Sequence, residues 1–252
     1  MKQKLLFLLL LLILSLAANA DTLGVKLGAA SWSYDVTGNL RYKSKNSADD
    51  IDVQKDLGYD NDSLTFAYLI FEHPLPILPN VKLTYTNIDT DGRGKLSRNF
   101  SYGGVVFTAS DQVKSDIQLK QTDITLYYQP LDNWVNLDIG LNAKYIDSKA
   151  NITSITTGIS KTADVSTWVP MLYAGVGVDL PFSGLGVSAD GSYIGYSGSD
   201  FYDFSVRLTY TTPWLVGVDL GYRKISLKLD DISNSYADIR FDGYYGGLYL
   251  HF

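Results

Sequence analysis

Alternation of apolar and polar residues is the feature that most limits what this chain can fold into. In one clear stretch the apolar residues are Val135, Leu137, Ile139, Leu141, Ala143 and Tyr145, and the residues between them are Asn136, Asp138, Gly140, Asn142 and Lys144. Successive side chains on a strand point to opposite faces, so such a strand is apolar on one side and polar or small on the other. The pattern recurs about ten times between Leu23 and Phe252, which is typical of a transmembrane β-barrel.

The first residues have the composition of an export signal. Residues 1–20 contain two lysines, then an apolar run of 12 residues, and end in Ala18-Asn19-Ala20. This order predicts a secretory signal peptide cleaved after Ala20, which leaves 21–252 as the barrel. An uncleaved anchor helix is the alternative, but the apolar run is shorter than the roughly 17–25 residues that a spanning helix needs.

Composition supports a chain that is mostly β. The absence of cysteine excludes a disulfide framework and the lipidated cysteine of a lipoprotein. Glu72 is the single glutamate among 27 acidic residues, and aspartate favours turns over helices. Removal of the two signal lysines takes the net charge from −6 to −8. A charge of this sign argues against a nucleic-acid partner.

The pattern predicts a single antiparallel barrel, most simply of ten strands. Its predicted strands span 22–40, 60–73, 80–90, 115–129, 134–147, 166–180, 185–195, 201–211, 214–227 and 238–252. The short, proline-containing turns lie at 73–79, 129–132, 181–184 and 212–213, and the longer loops at 41–59, 91–114, 148–165, 196–200 and 228–237. Short turns face the periplasm and longer loops the exterior in bacterial barrels. Eight strands is the alternative if the first or the fourth strand is interrupted.

Three observations orient the apolar face outward, toward lipid, and separate the chain from a soluble barrel. The polar face is small, as in Gly186, Ser188 and Asp190, whereas a solvated face would be rich in Lys and Glu. Aromatic residues bracket the apolar stripes and form a predicted girdle of Trp134, Tyr145, Trp168, Tyr202, Tyr210, Trp214, Tyr222 and Tyr244. Those that stand eight residues apart span roughly 26 Å of strand, or about 20 Å of depth in a tilted barrel. Reversed strands would place Lys144 and Asp138 in lipid.

The chain ends carry a resemblance to a known kind of protein. The last strand ends with Leu248, Leu250 and Phe252 on one face, and this pattern resembles the signal that outer-membrane proteins present to the barrel assembly machinery. Residues 21–25 and 241–252 resemble a family of small proteobacterial outer-membrane barrels, uncharacterised in function and distantly OmpW-like. The resemblance implies a porin-like fold in the outer membrane of a Gram-negative bacterium, and it supplies no catalytic residues.

Charged residues of the last strands are predicted to meet inside the barrel. A turn about Pro213 would place Arg207 opposite Asp219 and Asp203 opposite Arg223, with Asp190 opposite Arg207 across the preceding loop. These five residues have inward parity, where an unpaired charge is costly. Two interpretations remain: a structural plug that satisfies the charges, or a charged constriction in a narrow pore. Pro170, which lacks a ladder donor, predicts a bulge or a position near the outer rim.

Histidine is the usual proton carrier of barrel enzymes near neutral pH. The chain has two histidines, His73 in a proline-rich turn and His251 next to the C-terminus, and both are predicted on the periplasmic side. The sequence therefore predicts no catalytic site, no cofactor and no metal.

Three functions remain from the sequence. They are a structural or interaction barrel whose loops contact lipopolysaccharide or extracellular partners, a narrow passive channel for small or hydrophobic solutes, and a barrel enzyme. Inward Lys82, Lys144, Arg207, Arg223 and Tyr127 could occlude a ten-stranded cylinder, which favours a largely plugged lumen. The pattern leaves the ligand and the oligomeric state open.

Overall fold

The computed structural model describes residues 23–232 and 234–252; the predicted signal peptide lies outside them. The strands are β1 (Gly24–Tyr42), β2 (Ile51–Asp52), β3 (Asp62–Glu72), β4 (Asn80–Lys95), β5 (Phe100–Tyr102), β6 (Val105–Phe107), β7 (Gln112–Asp132), β8 (Val135–Ser154), β9 (Ser160–Asp179), β10 (Leu185–Tyr196), β11 (Ser199–Thr211), β12 (Val216–Ile232) and β13 (Ser235–His251). A single 3-10 turn covers Ser47–Asp49. In this part of the chain no helix is both long and apolar enough to cross a membrane.

Ten long strands form one closed antiparallel barrel. The order in the sheet is β13-β12-β11-β10-β9-β8-β7-β4-β3-β1, and β13 pairs back onto β1, with Leu27 opposite Leu250. The short β2 adds only an edge piece to β1, while β5 and β6 form a separate hairpin. The ten-stranded prediction is confirmed and the eight-stranded alternative is wrong.

The two faces of the barrel have the predicted orientation over its periplasmic part. Leu141, Leu250 and Val218 lie on the outer surface and are 63%, 41% and 38% exposed. Lys144 is on the same strand as Leu141 but has the opposite parity; it points inward and is fully buried. An apolar belt outside a polar lumen is the arrangement that lipid demands, because lipid offers no partner to polar groups.

Toward the exterior the strands continue well past their predicted ends. β7, β8 and β9 run through most of 112–114 and 148–165, which the sequence pattern assigned to loops, and β4 runs to Lys95. In β8 the apolar residues change face after Tyr145: Ile146 and Ile152 are buried inside, while Lys149 points outward. The loop prediction is wrong here because it followed outward-facing apolar residues, whereas a strand in water carries its apolar residues inward.

We call the part below this change of face the membrane zone and the part above it the outer zone. The boundary passes through a row of outward residues that are opposite one another on β4, β7, β8 and β9: Tyr85, Thr122, Tyr145 and Trp168. The rings of Tyr145 and Trp168 are 5.1 Å apart.

Extracellular segments fold inward and fill the outer zone with an apolar core. It contains Trp32, Tyr34, Val36, Ile51, Val53, Leu57, Tyr59, Ile88, Leu96, Phe100, Tyr102, Phe107, Val113 and Ile152, all at most 3% exposed. Gly58, with φ +72°, allows the segment that carries Leu57 to lie on β4, since a Cβ there would stand 2.1 Å from the carbonyl oxygen of Arg93. Arg98 donates to the carbonyl oxygens of Ala48 and Asp50 and so holds the segment between β1 and β3 in place.

Pro170 ends a ladder without a bulge. β9 stays paired with β8 through this position with no register shift, but its pairing with β10 stops at Leu172, opposite Tyr193. The Leu180 N–H donates to the Leu185 carbonyl, so even-numbered residues of β9 face β10. Pro170 is the next even-numbered residue after Leu172. It has no N–H to donate to β10, so the β9–β10 ladder ends there. The expected bulge is wrong, and Pro170 also lies below the expected level above the membrane, because it is opposite Ala143, two residues to the periplasmic side of Trp168.

Candidate functional site: the charged lumen

Lys144 lies inside the barrel at the outer limit of the membrane zone, one residue before Tyr145. Its Nζ lies 2.8 Å from an Asp123 oxygen and 2.8 Å from Asp203 Oδ2, and it donates to Gln121 Oε1 at 3.2 Å. Asp123 is on the neighbouring strand β7, directly opposite Lys144. Asp203 is on β11, so this ammonium group bridges the lumen.

Arg223 forms an ion pair with the neighbouring strand β11 and a hydrogen bond across the lumen to β4. Its Nε and Nη2 donate to both oxygens of Asp203, at 3.0 and 2.8 Å, in the bidentate geometry that suits a guanidinium. Its Nη1 donates to Thr86 Oγ1 at 3.0 Å, which joins β12 to β4. The guanidinium also lies over the rings of Trp32 and Phe66, at 5.3 and 5.0 Å from their centroids, and so meets the apolar core of the outer zone.

A third group of charges lies closer to the periplasm. Asp190 binds Lys82 Nζ at 2.6 Å and Arg207 Nη2 at 3.0 Å. Lys82 comes from β4 and Arg207 from β11, so this contact again joins opposite walls. Nearby, the Tyr68 hydroxyl donates to Asp219.

The predicted register between β11 and β12 is wrong by two residues. Arg207 lies opposite Gly221, and Asp203 lies opposite Ile225, because strand pairing closes at Thr211 with Gly217 instead of around Pro213. Across β10 and β11, Arg207 lies opposite Ser188 rather than Asp190.

Two of the three predicted ion pairs form nonetheless. Arg223–Asp203 and Arg207–Asp190 connect diagonal positions, which long side chains reach. The predicted Arg207–Asp219 pair is wrong, since Asp219 is bound by Tyr68. No pattern in the sequence predicts the bridges from Lys144 and Lys82, because they depend on which strands face each other across the closed barrel.

Two cavities remain along the axis. A central one of about 60 Å³ is bordered by the charge clusters, and a second of about 120 Å³ opens at the periplasmic end. Four residues border both of them: Lys82, Tyr173, Asp190 and Arg207. The Lys82–Asp190–Arg207 group therefore separates the two cavities.

The aromatic residues of the predicted girdle lie where outward parity puts them. Trp134, Trp168, Tyr210, Trp214 and Tyr244 are exposed on the barrel surface, and Tyr145, Tyr202 and Tyr222 are half-buried there. Leu248, Leu250 and Phe252 are also exposed on that surface. Contact of the aromatic residues with lipid headgroups, and recognition of the last strand by the assembly machinery, stay predictions.

Both histidines lie at the periplasmic end. His73 Nε2 is 3.2 Å from the Pro79 carbonyl oxygen in the turn after β3, and His251 is the last residue of β13, opposite Lys26. Among residues 23–252 other than 233, no group of three His, Cys, Asp or Glu side chains is placed to hold a metal ion.

Hydrogen bonds and burial shift the pKa values of groups in the extracellular segments. The hydroxyl of Ser44, 2.5 Å away, and the Ser101 N–H lower the pKa of Asp49. Burial in the apolar core raises the pKa values of Tyr59 and Tyr102. The neutral phenols and the ionised carboxylate are therefore the forms that suit the folded outer zone.

Solved structures with a similar fold are outer-membrane β-barrels. The outer membrane protease OmpT from Escherichia coli is 11% identical, covers 93% of this chain and 98% of its own, and has a TM-score of 0.55. Ail, the attachment invasion locus protein of Yersinia pestis, is 10% identical over 90% of this chain and 99% of its own, with a TM-score of 0.39. The toluene transporter TbuX of Ralstonia pickettii is 9% identical over 94% and 91%, with a TM-score of 0.33. No protein-family model and no curated protein matches the chain. The chain is thus a transmembrane β-barrel of the outer-membrane class.

Proposed function

We propose that this protein is a closed outer-membrane barrel with a structural or interaction role, and that its lumen does not conduct. The observation that carries the proposal is a pair of contacts that cross the lumen, from Lys144 to Asp203 and from Arg223 to Thr86, at a level where Lys144, Asp203 and Arg223 are at most 13% exposed. Above them, the apolar core of the outer zone fills the barrel. A solute entering from outside would have to displace both layers.

The outer zone is the part proposed to meet partners. Its outward residues on β7, β8 and β9 are polar, with Lys149, Asn151 and Thr162 among them, and they stand directly above the Tyr145–Trp168 row. That level corresponds to the sugars and phosphates of lipopolysaccharide in the outer leaflet. The proposal includes contact with lipopolysaccharide and recognition of the last strand by the barrel assembly machinery. It also includes a relationship to the small OmpW-like barrels, which rests on residues 21–25 and 241–252.

Planar-bilayer recording of the refolded protein tests the closed lumen against a narrow channel. We expect no reproducible steps from the natural protein, and none from Arg240→Ala, a control on the outer surface where Arg240 binds Asp238 at 3.0 Å. Arg207→Ala would widen the inner cluster but leave the outer core, and should also stay silent. Reproducible open-channel steps from the natural protein that Arg207→Ala abolishes would overturn the plug and support a passive channel.

We also propose that the protein is not an enzyme. Support comes from the positions of His73 and His251, which lie at the end opposite to any extracellular substrate. Similarity of fold to a protease at 11% identity carries no activity with it. Incubation of folded protein with denatured casein is expected to leave the casein intact, and cleavage that requires the folded barrel would contradict this part of the proposal.

A further inference from the structure

The periplasmic cavity is lined by glycines and polar residues on the three adjacent strands β8, β9 and β10. Inward glycines stand directly opposite polar residues: Gly177 faces Asn136, Gly175 faces Asp138, and Gly186 faces Asp179. A Cβ on each glycine would stand 2.5, 2.9 and 2.4 Å from an oxygen of the opposite side chain. The glycines therefore let the side chains of Asn136, Asp138 and Asp179 lie flat against the wall, which leaves a row of polar oxygens beside the cavity instead of side chains that would fill it.

Acceptor oxygens without partners face this space. Asn136 Oδ1 and Asp138 Oδ1 are shielded from solvent and have no hydrogen-bond partner among the described residues, and both residues border the periplasmic cavity. In the adjoining central cavity, Asn142 is 3% exposed and its Oδ1 is likewise unpartnered. The amide orientation of Asn142 is set by its Nδ2, which donates to Asp123 at 2.7 Å. Unpaired buried acceptors are costly unless a ligand or water donates to them.

Several carboxylates around the cavity lack an ion-pair partner among the described residues. Lys82 and Arg207 both bind Asp190. Glu72 accepts from the neutral donors Tyr127 and Gln129, at 2.7 and 3.5 Å. Asp179 likewise accepts from the neutral amide of Asn136, at 2.9 Å, and Asp138 keeps one free oxygen. Among the described residues, the remaining cation that borders this cavity is Lys26, which attracts Glu72 and Asp179 electrostatically without forming an ion pair with either. Its Nζ lies over the Tyr249 ring at 5.0 Å.

We propose that this periplasm-facing cavity binds a small organic cation that carries ammonium groups. Such a ligand brings both a cation into direct contact with Glu72, Asp138 and Asp179, which form no ion pair among the described residues, and the N–H donors that the unpartnered oxygens need. A bare metal ion fits less well, since no three acidic side chains in the described part of the chain converge as ligands. A volume of about 120 Å³ holds several waters or a molecule of a few heavy atoms, since one water needs about 10–15 Å³ of such space.

The test uses 1,4-diaminobutane as the probe and 1,4-butanediol as its neutral match, each titrated into the refolded protein in micelles. The readout is the amide NMR signals of Gly175, Gly177 and Gly186. We expect saturable shifts with the diamine and none with the diol. No saturable shift, or an equal response to both probes, would overturn the proposal.

Variants locate the binding. Asp138→Asn keeps shape and removes charge, and should weaken diamine binding at least tenfold. Gly177→Ala, which keeps every charge but displaces the Asn136 side chain from the wall, should weaken it as well and serves if Asp138→Asn does not fold. Asp147→Asn is the control, since Asp147 faces outward and accepts from Ser166 at 3.0 Å. Diamine binding unchanged in both cavity variants would contradict the proposal. Because the readout is an amide shift and not a current, its outcome is separate from that of the conductance test.

Discussion

The membrane zone and the outer zone are built from the same strands with opposite faces. In the membrane zone of β8, Ile139 and Leu141 face lipid while Lys144 is buried among carboxylates. Ten residues further along, Ile152 is buried and Asn151 faces outward. The strand does not change its geometry between the two levels; only the face that carries the apolar residues changes.

The difference shows that the medium outside the wall decides what fills the inside. In the membrane zone the apolar side chains face lipid, so the polar side chains face the lumen. The charges there must pair with one another to avoid a large desolvation cost. In the outer zone the polar side chains face water, so the apolar side chains face inward and form an ordinary hydrophobic core. The first interior depends on a few directional contacts, and the second on packing.

Removal of the Lys144 charge should have the largest effect. Lys144→Met leaves Asp123 and Asp203 without their shared ammonium partner in a buried site, which should lower the free energy of unfolding by about 3–5 kcal/mol. Urea unfolding in lipid vesicles measures it. Lys149→Met, the same change on the water-facing side of β8, is the control and should stay within about 0.5 kcal/mol. Equal losses would mean that the buried bridges carry no special weight.

In the outer zone the sensitive change is loss of volume. Ile152→Ala, at a position 2% exposed, should cost about 2–5 kcal/mol through lost burial and the cavity left behind. Faster amide exchange confined to the outer zone would accompany it. Ile155→Ala, at the exposed tip of the same hairpin, is the matched control. A similar cost at both positions would argue against a packed outer core.

One substitution made at two heights compares the zones directly. Leu141→Arg places a cation on the lipid-facing surface and should cost about 2–4 kcal/mol near the bilayer midplane. Asn151→Arg, outward on the same strand but in water, should change stability by less than about 0.5 kcal/mol. Urea unfolding in vesicles again provides the measurement, and a comparable penalty at Asn151 would move the membrane boundary outward.

The smallest effect concerns the extracellular segments and acid. The pKa of Asp49 is lowered in the folded protein, chiefly by the Ser44 hydroxyl, so its stabilising contribution is complete above the unfolded value of about 3.9 and is lost as pH falls through the folded pKa. Exchange of the Ser101 amide hydrogen, which Asp49 Oδ1 accepts at 2.9 Å, should accelerate over that acid range. Asp49→Asn should remove this pH dependence, and persistence of it in the variant would assign the effect to another group.

Much of the barrel was predictable because alternation is a local property. Strand count and the outward face of Leu141 and Leu250 follow from parity and turn residues. The change of face in β8 was also present in the sequence, as Ile146 and Ile152, but a search for outward apolar residues alone passes over it.

Contacts across the lumen could not be predicted in the same way. The two-residue error between β11 and β12 arose because Pro213 marks the turn without fixing its length. The Lys144–Asp203 bridge joins strands that are not neighbours, so no pairing rule between adjacent strands reaches it. The row of polar oxygens over Gly175 and Gly177 depends likewise on which residues lie opposite them.

A nitroxide scan along β8 tests the change of face most directly, and the absence of native cysteine makes single-cysteine variants from 137 to 153 straightforward. In lipid vesicles, nitroxides at odd-numbered positions up to 143 should collide mainly with oxygen, which partitions into lipid. Nitroxides at odd-numbered positions from 147 should collide mainly with a water-soluble nickel complex. Even-numbered positions should be shielded from both. Oxygen contact at even-numbered positions, or at 149 and 151, would contradict the two-zone account.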